Sequence, residues 1–487
     1  MDQDLKSSKY KAYNVDVLPE VEAYNHPGGN FQGDAVTGVP LYPDETPGNP
    51  RLSRFVVQGY QDLWAAVLFI IVFLLSLAWG AVNMATYEPI TLNTTQQRIV
   101  EIDEGAVGFS VFILLLIIFV VSVLGACGSL LLLGMFPRQL IFIANVLTAV
   151  LTLVGAVVAF VSGAVAVGVI LVVVCILQAL WLYLVRDRIM FSAELLKAAS
   201  DVLTKYKAVF GFSFILTASS LVYMVFWCAM CFPAVDRMNA GYNNAGDGFL
   251  ITFCMLIFFW VSQVVDNVMH VTTAGVTATW YFAGEGRMPK NPTSASFKRA
   301  TTTSLGSICF GSLMVAIVRL LRWLAESASN NENEFIRCIT ICIISCLESI
   351  LEYFNTYAFV HVAVYGCGYI EAAKRTWQLC KQCFFAAYFN DALVGSTLNL
   401  LALGVSALIG VVVGFVYFSA AVGTVAFLGS LMVHILFFSA VESAVTTIFV
   451  CFAEVPEGLQ YSAPELYAAL HNADQGGTNN NAAPPVL

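Results

Sequence analysis

The chain has 487 residues, 59% of them hydrophobic and only 11% charged, with a mean hydropathy of +0.77. That much apolar surface excludes a soluble globular protein, and the apolar runs are long enough to cross a bilayer. A formal net charge of −9, with no sizeable basic patch, argues against nucleic acid as a partner.

Residues 1–60 are polar and rich in Gly, Pro and Asp, the composition of a disordered tail, and no cleavable signal peptide is expected. The apolar runs predict an all-α polytopic membrane protein with about ten transmembrane helices in a domain of residues 61–452. The spans fall at roughly 61–84, 108–135, 140–161, 164–185, 211–233, 248–282, 304–326, 336–368, 393–418 and 423–452. Residues 453–487 form a second polar tail. The sixth and eighth spans exceed what a bilayer needs, so a tilt or a break is expected, with Gly275 and the pair Gly366/Gly368 as break points. Between the spans, residues 186–207 and 370–385 carry apolar residues along one side and read as amphipathic helices lying at the membrane interface.

With the N-terminus inside, the inner segments hold all 23 lysines and arginines except Arg98, Arg237, Arg319, Arg322 and Arg337. This asymmetry predicts cytosolic N- and C-termini and an even number of spans. Asn93-Thr94-Thr95 then lies outside as an acceptor for N-glycosylation. Of the 13 cysteines, most lie within apolar runs and none in the predicted outer segments 85–107 and 234–247, so they read as small hydrophobes rather than as disulfides.

Polar residues inside the spans stand out. Gln263, Asp266, Asn267 and His270 are spaced i, i+3, i+4 and i+7, which puts them on one face of the sixth span, with Trp260 one turn away and Trp280 and Tyr281 near the other end, where aromatic belts form. A carboxylate at mid-bilayer costs about 2.5–3.5 kcal/mol on insertion scales, so Asp266 should face protein, water or a cation. In the eighth span Glu348, Glu352 and Asn355 share a face, followed by Tyr357, His361 and Tyr365; the tenth carries His434 and Glu442. Arg319 and Arg322 in the seventh span are candidates for ion pairs with Glu348 or Glu352, structural or gating in role. Asp266 with Glu348 and Glu352 makes three carboxylates, more than two arginines neutralise. The histidines show no ligand-like clustering, and no metal or cofactor is expected. No zincin, nucleophile-elbow, P-loop or dinucleotide-binding motif occurs, so an enzyme has no positive support.

Four stretches resemble the choline transporter-like family, which includes the fungal Pns1-type proteins. They are DRIMFSAELLKAASDVL (187–203), AGVTATWYF (274–282), SFKRATTTSLGSICFGSLMVAIVRLLRWL (296–324) and NTYAFVHVAVYGCGYIEAAKRTWQL (355–379); CFAEVPEG (451–458) continues the likeness. The short loop between the first two spans, without cysteine, is similar to the Pns1-type branch. The resemblance implies ten spans, cytosolic termini and transport of choline or a related organic cation. The residues then expected to bind it are Trp260, Gln263, Asp266, Glu352 and Tyr365, with Trp280 and Tyr281 beside them: a quaternary ammonium cannot donate hydrogen bonds and needs aromatic faces and negative charge. Facilitative, potential-driven alternating access is expected, at the plasma membrane or an endomembrane, with lipids as the other partner. A non-transporting scaffold or lipid-handling protein, or an ion channel, remains open on the same fold.

Overall fold

The computed structural model describes residues 59–85, 104–239, 245–327 and 334–478. Asn93 and most of the N-terminal tail lie outside these residues. The described chain contains fourteen α-helices and no strand. In order they are α1 (Leu63–Ala85), α2 (Glu104–Met135), α3 (Pro137–Val161), α4 (Val165–Val185), α5 (Ile189–Lys205), α6 (Ala208–Asn239) and α7 (Ala245–Ala283). There follow α8 (Pro292–Thr301), α9 (Leu305–Ser327), α10 (Glu334–Tyr365), α11 (Tyr369–Val416), α12 (Ala420–Glu454), α13 (Glu457–Ser462) and α14 (Pro464–Thr478). Among the described residues ten helices are long and apolar enough to cross a membrane.

The helices α5, α8, α13 and α14 and the start of α11 gather at one end of the bundle, called here the capped end; the opposite end is the open end. Contacts far apart in sequence fix this arrangement. Lys205 Nζ pairs with Glu285 at 2.5 Å, Ser462 Oγ donates to the Tyr281 carbonyl, and Gln61 N–H donates to the Thr303 carbonyl at 3.1 Å. At the open end Arg237 pairs with Asp247 at 2.6 Å.

The long run 258–284 belongs to α7, which stands at the centre of the bundle against α1, α6, α8, α9, α10 and α12. Every residue from Val271 to Phe282 is buried. Residues 271–279 of that half are Val, Thr, Ala and Gly, whose small side chains let neighbouring helices approach closely, and Thr272, Thr273 and Thr279 return their hydroxyls to carbonyls one turn back, as Thr272 does to Val268 at 2.7 Å. Gly275 therefore does not break the helix. A Cβ there would lie 3.0 Å from Ser296 Oγ of α8, so the glycine serves close packing.

The eighth span ends as expected, at a turn in which Gly366 has φ +62°, a conformation glycine adopts without a Cβ clash. The amphipathic stretch after it is not separate from the ninth span. Both belong to α11, bent at Cys383, where φ −137° and ψ 27° leave the helical region. Asp62 holds this corner: its carboxylate accepts from the Tyr369 N–H at 2.7 Å and from Ser307 Oγ at 2.8 Å, which places a negative charge at the N-terminus of α11.

α5 is buried more completely than an interfacial helix should be. Phe191, Leu195, Leu196, Ala199 and Leu203 enter the main core, where Phe191 packs edge-on against Phe449 of α12. α14 covers α5 from the other side. The segment after 462, read from composition as a polar tail, thus contains a helix anchored by Leu470, which is fully buried.

Candidate functional site

α10 carries polar groups in successive layers from the open end to the capped end, and α7, α9, α11 and α12 supply their partners.

Nearest the open end is an ion-pair cluster. Arg319 of α9 reaches Glu348 Oε1 at 3.1 Å and Glu352 Oε1 at 2.7 Å, and Arg322 reaches Glu348 Oε2 at 2.9 Å. With its amide oxygen toward the guanidinium, Gln263 of α7 accepts from Arg319 Nη1 and Nη2 at 2.8 Å. Glu348 is buried, whereas the Glu352 side chain retains 39% of its exposure. One turn further along α7, Asp266 lies within electrostatic range of Arg319 and Glu352. Its carboxylate has no hydrogen-bond or ion-pair partner among the described residues, and it is exposed although it sits halfway along the helix.

The next layer ties the helices together. His270 Nε2 donates to the Thr356 carbonyl at 2.9 Å, and Ser443 Oγ of α12 donates to the His270 carbonyl at 3.1 Å. These two contacts bring α7, α10 and α12 to one level, so Asp266 and Glu442, each within about a turn of it, share that level. Glu442 is also exposed, and it has no hydrogen-bond partner among the described residues. Its Oε1 lies 3.6 Å from where a Cβ on Gly395 would stand, so it points at α11. Nearby on α11, close enough to act on Glu442 through its charge, is Asp391. Asp391 accepts from the Tyr357 hydroxyl at 2.5 Å, and the Tyr353 and Tyr357 rings pack with centroids 5.3 Å apart.

The innermost layer is closed. His361 faces acceptors with both ring nitrogens, the Tyr357 carbonyl and Glu454 Oε1, each at 2.9 Å. The Tyr365 hydroxyl donates to Glu454 Oε2 in a short hydrogen bond, and the Arg375 guanidinium stacks over the Tyr365 ring at 4.6 Å.

Of the residues singled out from sequence, the structure gathers Gln263, Asp266, Arg319, Arg322, Glu348 and Glu352. The aromatic ones lie elsewhere. Trp260 is 3% exposed, donates Nε1–H to the Cys309 carbonyl at 3.0 Å and packs edge-on against Phe69, so its ring faces protein. Trp280 and Tyr281 form no interfacial belt: both are buried, and Tyr281 donates to the Val455 carbonyl at 3.1 Å. Tyr365 is 13 residues from Glu352, about 20 Å along the helix, and one face of its ring is already occupied by Arg375. The sequence reading missed Asp391, which precedes the predicted start of its span, and did not weigh Tyr353. Tyr353 and Tyr357 follow Glu352 on α10, and their spacing of four was the available signal.

A ten-span helical bundle whose described polar layers hold six carboxyl groups (Asp266, Glu348, Glu352, Asp391, Glu442 and Glu454) against three arginines (Arg319, Arg322 and Arg375) has the build of a membrane transport protein. The comparisons with known proteins agree. The chain belongs to the choline transporter-like family: the family described as plasma-membrane choline transporter matches residues 169–457. It is 32% identical to a CTL-like protein of Dictyostelium discoideum, over 86% of this chain and 76% of the relative. It is 30% identical to protein PNS1 of Gibberella zeae, over 84% and 81% of the two chains, and 30% identical to protein PNS1 of Neurospora crassa, over 88% and 82%.

Proposed function

We propose that the protein moves choline or a related organic cation, such as ethanolamine, across the plasma membrane by facilitative, potential-driven alternating access. The capped end, where the lysines concentrate, faces the cytosol, so that both termini are cytosolic. The observation that carries this reading is two exposed, unpartnered carboxyl groups at one level of the bundle, Asp266 within electrostatic range of Glu352 and Glu442 within range of Asp391, which Tyr357 holds. An isolated carboxylate at that depth is costly unless a cation meets it. The half-buried Tyr353 ring supplies a face of the kind a quaternary ammonium needs instead of hydrogen bonds, up to about 2 kcal/mol for a desolvated contact, while the enclosed Tyr357 positions Asp391. One ring and one or two carboxylates together give about 4 kcal/mol, a millimolar dissociation constant suited to a carrier that must also release its cargo.

The layers on either side suit gating. Arg319, paired with Glu352 on the open side, can be drawn away as a cation compensates the carboxylates. On the cytosolic side, the links among His361, Tyr365, Arg375 and Glu454 must open for release. A transport cycle of this kind alternates which of the two layers is broken.

Binding tests the site apart from turnover. Choline at saturating concentration should raise the melting temperature of the purified protein, by the linkage between ligand binding and stability. The shift should vanish in Asp266→Asn and in Glu442→Gln while their ligand-free melting stays close to wild type. Absence of a shift in the wild type with choline and with ethanolamine would favour a scaffold that keeps the fold without the cargo.

A further inference from the structure

The capped end holds a second feature, outside the acidic layers. A groove of about 460 Å³ lies between α10 and the first half of α11, with Phe354, Ile370, Ala373, Lys374, Trp377 and Lys381 among its walls. Ile370, Lys374, Trp377 and Lys381 recur at helical spacing on one face of α11, while Ala372, Thr376, Leu379 and Cys383 on the other face are buried. The outward face is strongly apolar for a surface: Ile370 and Trp377 are each 57% exposed.

Its cations are also left over. Arg375, on the inward side, is neutralised by Glu371 at 2.8 Å, and Lys205 at the same end by Glu285. Lys374 and Lys381 have no carboxylate partner among the described residues, and Lys381 Nζ instead lies 5.5 Å from the centre of the Trp377 ring. A groove with apolar walls and two uncompensated amines at its rim complements a molecule with an acyl chain and a negatively charged head. Because these walls continue the lipid-facing surface of α10, the surrounding bilayer is the source of such a molecule.

We propose that this groove binds an anionic glycerophospholipid of the leaflet at the capped end. Lys374 and Lys381 hold the phosphate and headgroup, and Phe354, Ile370, Ala373 and Trp377 pack along the acyl chain. The helix that forms the groove bends at Cys383 and continues to Asp391, so a seated lipid fixes the arm that carries that carboxyl group.

The experiment is native mass spectrometry of the purified full-length protein, delipidated in detergent and titrated with dioleoyl phosphatidylserine or dioleoyl phosphatidylcholine. The wild type should retain one phosphatidylserine in preference to phosphatidylcholine. With each interfacial lysine worth about one kcal/mol toward an anionic lipid, Lys374→Gln/Lys381→Gln should weaken that retention about thirtyfold. Lys374→Arg/Lys381→Arg should keep it, and Lys290→Gln/Lys298→Gln, which removes two lysines elsewhere at the same end, should leave it unchanged. Equal retention of the two lipids by the wild type, or undiminished phosphatidylserine retention in the glutamine double variant, would overturn the proposal. The readout does not depend on transport, so it stands or falls separately from the cargo.

Discussion

At the scale of single residues, the interior separates carboxyl groups with a fixed partner from those without one. Glu348 is buried and held by both Arg319 and Arg322, and removing one partner of such a cluster leaves an uncompensated charge. Arg319→Gln leaves Glu348 to Arg322 alone and deprives the partly exposed Glu352 of its partner, so it should lower the melting temperature. Tyr357→Phe removes a donor to Asp391 at the cost of one charge-assisted hydrogen bond, about 1.5–3 kcal/mol. Because the ring is kept, the variant should fold and should raise the half-saturating choline concentration more than it lowers maximal uptake. Part of this pattern was legible in the sequence. Gln263, Asp266, Glu348 and Glu352 announce themselves because polar groups in an apolar run recur on one helical face. The aromatic residues gave no such warning. Trp260, Trp280 and Tyr281 have the composition of a cation cage or an interfacial belt, but composition does not say which neighbours cover a ring. In the fold Phe69 and the Cys309 carbonyl take Trp260, and the surrounding helices enclose the other two.

At the scale of elements, α11 is where sequence reading and structure part most clearly. Residues 370–385 have an amphipathic pattern and residues 393–418 an apolar one, so they read as two units with a boundary near 390. The backbone bends at Cys383 instead, and the residues just beyond the bend, including Asp391, enter the bundle. Tyr357 and Tyr353 are what make that position tenable for a carboxyl group. Further along, α11 and α12 cross on glycines: a Cβ at Gly410 would stand 2.7 Å from the Cβ of Phe427, and one at Gly414 would stand 3.0 Å from the Cα of Gly423. Glycine at such a crossing lets two backbones touch. Gly410→Leu should cost about 1–3 kcal/mol by overpacking, seen as a melting temperature several degrees lower. Gly404→Leu is the control on the same helix, since open space surrounds the Cβ position at Gly404; it should melt like the wild type.

At the scale of the whole molecule, the ten apolar runs anticipate the bundle, because a bilayer requires backbone polar groups to be satisfied within helices. The closing of the capped end was not anticipated. α5, α13 and α14 carry ordinary amphipathic or polar compositions, and only the fold shows that Leu196, Leu459 and Leu470 are enclosed there. Under the proposed orientation, this asymmetry, one end sealed by packed helices and the other bounded by the Arg319 ion pairs, corresponds to a carrier closed toward the cytosol. A monovalent cation crossing to the negative side gains about 2.3 kcal/mol per 100 mV, enough for about fiftyfold accumulation. The most direct measurement is uptake of labelled choline into proteoliposomes under a potassium diffusion potential, with the protein reconstituted as wild type and as Asp266→Asn/Glu442→Gln. Accumulation that rises with inside-negative potential in the wild type and is lost in the double variant is the expected result. Wild-type uptake no greater than that of protein-free vesicles at any potential, or equal uptake by the double variant, would contradict a cation path through these two carboxyl groups.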